Sequence, residues 1–213
     1  MINQTPLNSN AKAKVHDFWN DAAFGEDLYL LDIDKAGYLV QAKERYRLEP
    51  FIIPFADFDA AKDKKVLEIG VGLGAEHQMF AQAGADLYGI DLTERAIEHT
   101  RRRLSLFGLD SRLKVGDAEK LDFSDESFDV VYSWGVLHHS PDTPKAIDEA
   151  YRVLRPGGVA KIMTYHKWSM IGVMLWLRYA LLSGKPWKSL RSVYSAHLES
   201  PGTKAYSYKE AQD

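Results

Sequence analysis

From residue 64 onward, the chain switches regularly between two hydrophobic periods. Apolar runs rich in β-branched and aromatic residues at 65–69, 86–90, 112–115, 128–133 and 159–164 predict five strands. Between them, apolar positions recur at helical spacing. Segment 75–83 predicts a helix that stops at Gly84. Segment 94–107 predicts another, capped by Thr93 and closed by Gly108. A third helix takes Thr143 as its N-cap and Pro144 as its first residue. It buries Ile147, Ala150, Tyr151 and Leu154, and Pro156-Gly157-Gly158 ends it. Strands alternating with helices in this way imply an α/β fold: a doubly wound, mainly parallel sheet with helices on both faces. Ligands in such sheets lie at the carboxyl ends of the strands.

The flanks read differently. Residues 1–63 are mostly helical in pattern, with Phe18 and Trp19 in one patch and 38–46 in another. Pro50 and Pro54 interrupt the pattern before the first strand. This part is expected to form an N-terminal helical lid on the core. Residues 166–213 open with a dense apolar run at 168–182, broken by Arg178. The run is shorter than the roughly 20 residues a membrane span needs, and is expected to be a helix closing over an apolar pocket. Ser207 and Glu210 have the spacing of a capping box. A helix that begins so near residue 213 is expected to belong to a truncated sequence.

Composition narrows the function classes. A formal net charge of −3 supplies no general attraction to nucleic acid or to an anionic membrane. The absence of cysteine removes disulfides and thiolate catalysis. Residues 1–10 lack a basic stretch followed by an apolar one, so the expected location is cytoplasmic.

The most informative stretch is Val66-Leu67-Glu68-Ile69-Gly70-Val71-Gly72-Leu73-Gly74, a strand running into a glycine-rich turn before a helix. Such a turn lets backbone approach a ligand, and the helix N-terminus favours an anionic group there. Gly70, Gly72 and Ala75, with Asp91 downstream, are also compatible with a dinucleotide fold and an NAD-dependent oxidoreductase. Three strand ends argue otherwise. Asp91 can accept hydrogen bonds from both ribose hydroxyls. Asp117 can accept from an adenine amino group. Residues 132–139 would face the reacting end of the ligand.

Glu-Ile-Gly-Val-Gly-Leu-Gly, Gly-Ile-Asp-Leu, Gly-Asp-Ala-Glu-Lys-Leu, Ser-Phe-Asp-Val-Val-Tyr-Ser, Val-Leu-His-His and Arg-Val-Leu-Arg-Pro-Gly-Gly occur in one order and spacing. That order resembles the class I S-adenosylmethionine-dependent methyltransferases, most closely the small-molecule group with the ubiquinone and menaquinone enzymes. The resemblance spans about 64–165 and implies a Rossmann-like core with S-adenosyl-L-methionine as cofactor. It implies that Gly70, Gly72 and Gly74 turn under the methionine part, with Glu68 fixing the loop and reaching the amino group. Asp91 would hold the ribose, Leu92 would pack on the adenine, and Asp117 and Ala118 would read its edge. Ser133 and Trp134 would offer backbone groups to the methionine amine. The family sheet normally ends with two further strands, the last antiparallel. No convincing pair follows residue 185, so those strands are expected to be missing and a core edge left open to another subunit, as in a homodimer.

The expected activity is methyl transfer to a small, partly apolar acceptor. The alternative is a non-catalytic subunit that binds adenosylmethionine or adenosylhomocysteine. His138, His139 and His166 follow strand ends where the acceptor should sit, and are the candidate bases or substrate contacts. Adjacent histidines rarely face the same way and no carboxylate cluster stands beside them in sequence, so no metal site is expected. The triplet Arg101-Arg102-Arg103, with Glu94 and Glu98 nearby, is expected to be a solvated face, giving no nucleic-acid partner. Arg45 and Tyr46 lie in the lid, where the resemblance implies contact with the methionine carboxylate or the acceptor; the alternative is ordinary lid packing.

Overall fold

A computed structural model describes residues 5–212. The N-terminal part comprises α1 (Thr5–Asp21), α2 (Glu26–Tyr29), α3 (Lys35–Leu48) and α4 (Ile52–Ala56). The core follows as β1 (Lys65–Ile69), α5 (Ala75–Ala83), β2 (Asp86–Asp91), α6 (Glu94–Phe107), β3 (Arg112–Val115), β4 (Phe128–Trp134), α7 (Thr143–Arg152) and β5 (Leu154–Met163). Beyond it lie α8 (Met170–Trp176), which continues as a π-helical turn, and α9 (Leu190–His197).

The strands pair in the order β3-β2-β1-β4-β5, all parallel. The order reverses beside β1, so β1 and β4 flank the crevice where such sheets hold ligands. Successive residues of β1 and β4 feed opposite faces. Leu67, Ile69 and Val131 join Ala146 and Ala150 on one side. Val66, Val130 and Tyr132 join Ile52, Ala56 and Phe80 on the other. This is the two-sided burial that makes parallel strands read as continuous apolar runs.

Several expectations shift in detail. Asp142, not Thr143, caps α7, its carboxylate accepting from the Lys145 N–H at 3.2 Å. The buried face of α7 turns accordingly: Ala146 and Ala150 are enclosed, while Ile147 and Tyr151 are exposed. Pro156-Gly157-Gly158 does not separate helix from strand, because β5 already pairs through Leu154 and bulges out at these residues before pairing again at Val159. On α6, Arg101 and Arg102 are exposed as expected, but Arg103 is buried. Ala96, Ile97, Thr100, Arg103 and Leu104 form the helix's buried stripe. Ser207 and Glu210 do form a reciprocal capping box, at 2.8 and 3.3 Å.

The apolar run at 168–182 does not close over the cleft. Its helix α8 packs on α9 through Gly172, and Trp168, Met170, Ile171 and Leu182 remain exposed. No helix among the described residues is long and apolar enough to cross a membrane. After β5 the described residues form no further strand, only a single bridge between His166 and Tyr206.

Candidate active site

The β1–α5 turn opens on a cleft at the carboxyl ends of the strands. Counting the space at its mouth, the cleft encloses about 1300 Å³. Gly70 leaves β1 with φ +84°, and a Cβ there would lie 2.2 Å from Val136 Cγ2 on the neighbouring loop. Gly72 also has positive φ, +51°, but a Cβ there would meet nothing within 4 Å. One glycine is needed for close approach of two loops; the other leaves an open cradle. Replacing Gly70 by Ala combines left-handed strain with overpacking, about 2–5 kcal/mol in all. Gly70→Ala is therefore expected to lower the melting temperature by roughly 5–15 °C. Its Val136→Ala double variant should recover only part, since the backbone strain persists. Thermal denaturation checks both.

At the end of β2, the Asp91 carboxylate accepts from Thr93 N–H and Thr93 Oγ–H, both at 3.0 Å, and from Gly72 N–H at 3.2 Å. Thr93 Oγ in turn accepts from Ala96 N–H, so the cap of α6 and the glycine turn are fastened to one carboxylate. Burial raises the pKa of Asp91, against the lowering effect of these bonds. Three of its four lone-pair positions are occupied. One ribose hydroxyl can bond to the free position, and a second must share with Gly72.

Glu68 is buried beneath the turn, and its partner is a histidine that the sequence reading did not single out. His77 Nδ1 lies 2.8 Å from Glu68 Oε2, and His77 Nε2 lies 2.7 Å from Ser111 Oγ. The Ser111 hydroxyl donates to the Leu87 carbonyl, so it accepts from the Nε2–H. Nδ1 and Glu68 share a proton across this contact. Burial raises the pKa of Glu68 well above its ordinary value and lowers that of His77 to about 3.

Helix α1 lies across the opening, with Lys12, Val15 and Trp19 on the cleft. Lys12 Nζ lies 2.6 Å from both Asp117 Oδ2 and Glu119 Oε2. Although burial opposes the charge on Lys12, these two bonds raise its pKa. Glu119 also accepts from Ser140 Oγ–H and Asp142 N–H, pinning the loop after β4 to the end of β3. Arg45 reaches the cleft from α3, but its Nε donates to Glu76 at 2.6 Å and its Nη1 lies 3.2 Å from Glu49. The Tyr46 hydroxyl is buried with no hydrogen-bond partner.

The predicted residues divide clearly. Glu68, Gly70, Gly72, Asp91, Leu92, Asp117, Ala118, Trp134 and His139 all line the cleft. Gly74 lies behind it, packed against Thr100. Ser133 is buried, its hydroxyl donating to the Ile69 carbonyl at 3.0 Å. The Trp134 ring leans on Phe51 and Phe55. His138 is fully buried beside His139, and burial pushes its pKa down to about 2. His166 is exposed and does not line the cleft. The sequence reading missed Lys12, Trp19, Glu49, Glu76, Tyr165 and Glu199, which enter from distant segments.

The lining selects among ligands by charge. Apart from the histidine, Lys12 and Arg45 are its only cations among the described residues, and both are ion-paired. Against them stand the carboxyl groups of Glu49, Glu68, Glu76, Asp91, Asp117 and Glu199. A dinucleotide's pyrophosphate would find no free cation there. A sulfonium and an ammonium would find acceptors, and the glycine cradle leaves room for the amino-acid end. S-adenosylmethionine therefore fits the residues present.

Comparison with known proteins agrees. Residues 67–162 match the family described as "Methyltransferase domain". The chain is 37% identical over 116 residues to phosphoethanolamine N-methyltransferase 2 of Caenorhabditis elegans, covering 53% of this chain and 26% of that protein. It is 43% identical over 97 residues to phthiotriol/phenolphthiotriol dimycocerosates methyltransferase 1 of Mycobacterium ulcerans, covering 45% and 35%. The match thus spans about a quarter to a third of the length of these curated relatives. A Bacillus halodurans structure described as a candidate methyltransferase superposes with a TM-score of 0.56 at 22% identity, over 75% of this chain and 64% of that one, a likeness of fold. Residues 67–162 thus carry a methyltransferase domain like that of these relatives.

Proposed function

We propose that this protein transfers the methyl group of S-adenosylmethionine to a small, partly apolar acceptor. The observation that carries the reading is the charge of the cleft, rich in carboxylates and without a free cation. On this reading, Asp91 holds the ribose, Asp117 and Ala118 meet the adenine edge, and Glu68 with the Gly70–Gly72 turn receives the methionine part. The cofactor supplies an electrophilic methyl carbon: the acceptor's lone pair forms the new bond as the S–C pair returns to sulfur. The protein's part is orientation, which can contribute roughly 7–11 kcal/mol when the reacting atoms are held about 3 Å apart.

Trp19, Phe24, Trp134 and Met163 provide the apolar wall for the acceptor, and His139, Tyr165 and Glu199 its polar end. That combination favours an acceptor with an apolar body and one hydroxyl or amine. Of the three histidines, His139 is the one placed to touch it.

Calorimetry tests the cofactor. Adenosylhomocysteine is expected to bind at least about 100-fold more tightly than NADH, or ~2.8 kcal/mol. Binding of NADH alone would overturn the reading. Release of adenosylhomocysteine with partly apolar alcohols or amines then tests transfer; tight cofactor binding with no turnover on any of them would mark a non-catalytic binder.

A further inference from the structure

His139 and Glu199 on the cleft wall meet His138 buried behind it, each offering one ligand atom, and these atoms all lie within 4.8 Å of one another. Adjacent histidines were expected to face apart. The 3-10 turn Leu137–His139 instead brings their rings to 4.3 Å between centroids, inclined by 40°.

The hydroxyls beside His139 favour one of its tautomers. The Thr203 hydroxyl donates to the Ser200 carbonyl at 2.6 Å, so at 3.0 Å from His139 Nδ1 it can only accept. Ser200 Oγ lies 2.8 Å from the same nitrogen. If Ser200 accepts, Nδ1 carries the hydrogen and Nε2 of the neutral ring turns a lone pair toward Glu199 Oε2, 3.3 Å away. Nε2 and that carboxylate can then share a cation, a proton or a metal ion. The second observation is independent. His138 is fully buried, yet neither of its ring nitrogens has a hydrogen-bond partner. Buried polar atoms are rarely left without a partner, and a bound ion is one such partner.

We propose that His138, His139 and Glu199 bind a divalent transition-metal ion such as zinc. Two imidazoles and a carboxylate suit zinc, iron or cobalt, whereas magnesium and calcium prefer oxygen ligands. Ser200 and Thr203 orient His139 through Nδ1, and Tyr165 Oη–H donates to Glu199 at 2.8 Å. Such supporting partners are typical of metal sites. Three protein ligands leave coordination positions open, and His139 and Glu199 place them on the cleft. The assignment does not depend on the methyl-transfer reading.

The test is titration of the full chain, stripped of metal with chelator, using cobalt(II) and then zinc(II). Cobalt should bind at one equivalent with visible d–d absorption, and zinc should displace it; millimolar magnesium should not. Glu199→Gln, which keeps the side chain's shape, and His138→Ala should each weaken zinc by at least about 100-fold. Loss of a supporting hydroxyl in Ser200→Ala is expected to cost about 10-fold. Circular dichroism of the Gln variant shows that it is folded, should the Ala variant fail. Absence of a cobalt spectrum in the parent chain, or unchanged zinc affinity in folded Glu199→Gln, would overturn the proposal. So would NMR of the metal-treated chain showing His139 protonated on both nitrogens, since the cation would then be a proton.

Discussion

Replacing Asp91 by Ala is expected to weaken adenosylhomocysteine binding by about 100- to 1000-fold. Hydrogen bonds to a charged group contribute about 1.5–3 kcal/mol each, and on the proposed reading this carboxylate receives one ribose hydroxyl directly and a second by sharing. The rest of the effect is indirect. Gly72 N–H and both donors of Thr93 lose their common acceptor, so the glycine turn and the start of α6 are no longer fastened together. Asp91→Asn should fall between the parent chain and Ala, because its single carbonyl oxygen serves fewer donors. The pH dependence comes from the sign of the shift. The binding form is the carboxylate, and burial raises its pKa. Affinity should therefore decline as pH falls, starting above the ordinary aspartate range near 4. Calorimetry across a pH series measures both effects. An Asp91→Ala variant binding within threefold of the parent chain would remove this residue from the cofactor site.

Arg103→Met is expected to cost about 3–5 kcal/mol of stability, lowering the melting temperature by roughly 8–15 °C. The guanidinium sits inside the protein without a carboxylate hydrogen-bonded to it. Its Nε donates to Gln78 Oε1 at 2.7 Å, Nη1 to Gln41 Oε1 at 2.7 Å and the Leu73 carbonyl at 3.1 Å, and Nη2 to the Tyr38 carbonyl at 3.1 Å. These acceptors belong to α5, α3, the glycine turn and α3 again, so one side chain ties the N-terminal helices to the core. Burial pushes its pKa down to about 10, which still leaves it charged at neutral pH. Methionine keeps much of the volume but removes the donors of all four bonds, leaving both buried glutamine oxygens without this partner. Lysine should not rescue the loss, because an ammonium cannot present donors in the planar fork these oxygens surround. A melting temperature within 2 °C of the parent for Arg103→Met would contradict this role for the guanidinium.

The core was legible because its signals are local. Period-2 apolar runs, the Thr93 cap and the Gly84 and Gly108 stops fix β1, α5 and α6 at the residues expected. Glycine spacing and strand-end carboxylates likewise located residues that line the cleft. What escaped depends on contacts distant in sequence. Glu199 meets His139 from 60 positions downstream, and Lys12 reaches Asp117 across 105; neither position carries a local signature. Arg103 is a different case. Its spacing from Thr100 and Ala96 put it on the buried stripe of α6, but reading the arginine triplet as one charged unit concealed that. Asp142 outcompeted Thr143 as a cap for a related reason: both residue types cap well, and sequence alone does not say which reaches the free N–H first. The exposed apolar run on α8 shows the limit of hydropathy, which reports what a segment would bury and not where.

The carboxylates lining the cleft also bear on the release of product. On the proposed reading, the donor enters with a positively charged sulfur, which those groups attract. Once the methyl group has left, the sulfur is a neutral thioether while the wall of the cleft is unchanged. The spent cofactor has thus lost one electrostatic partner in the act of reacting. The cleft that draws in fresh donor therefore holds its product less firmly, which eases exchange of spent cofactor for new.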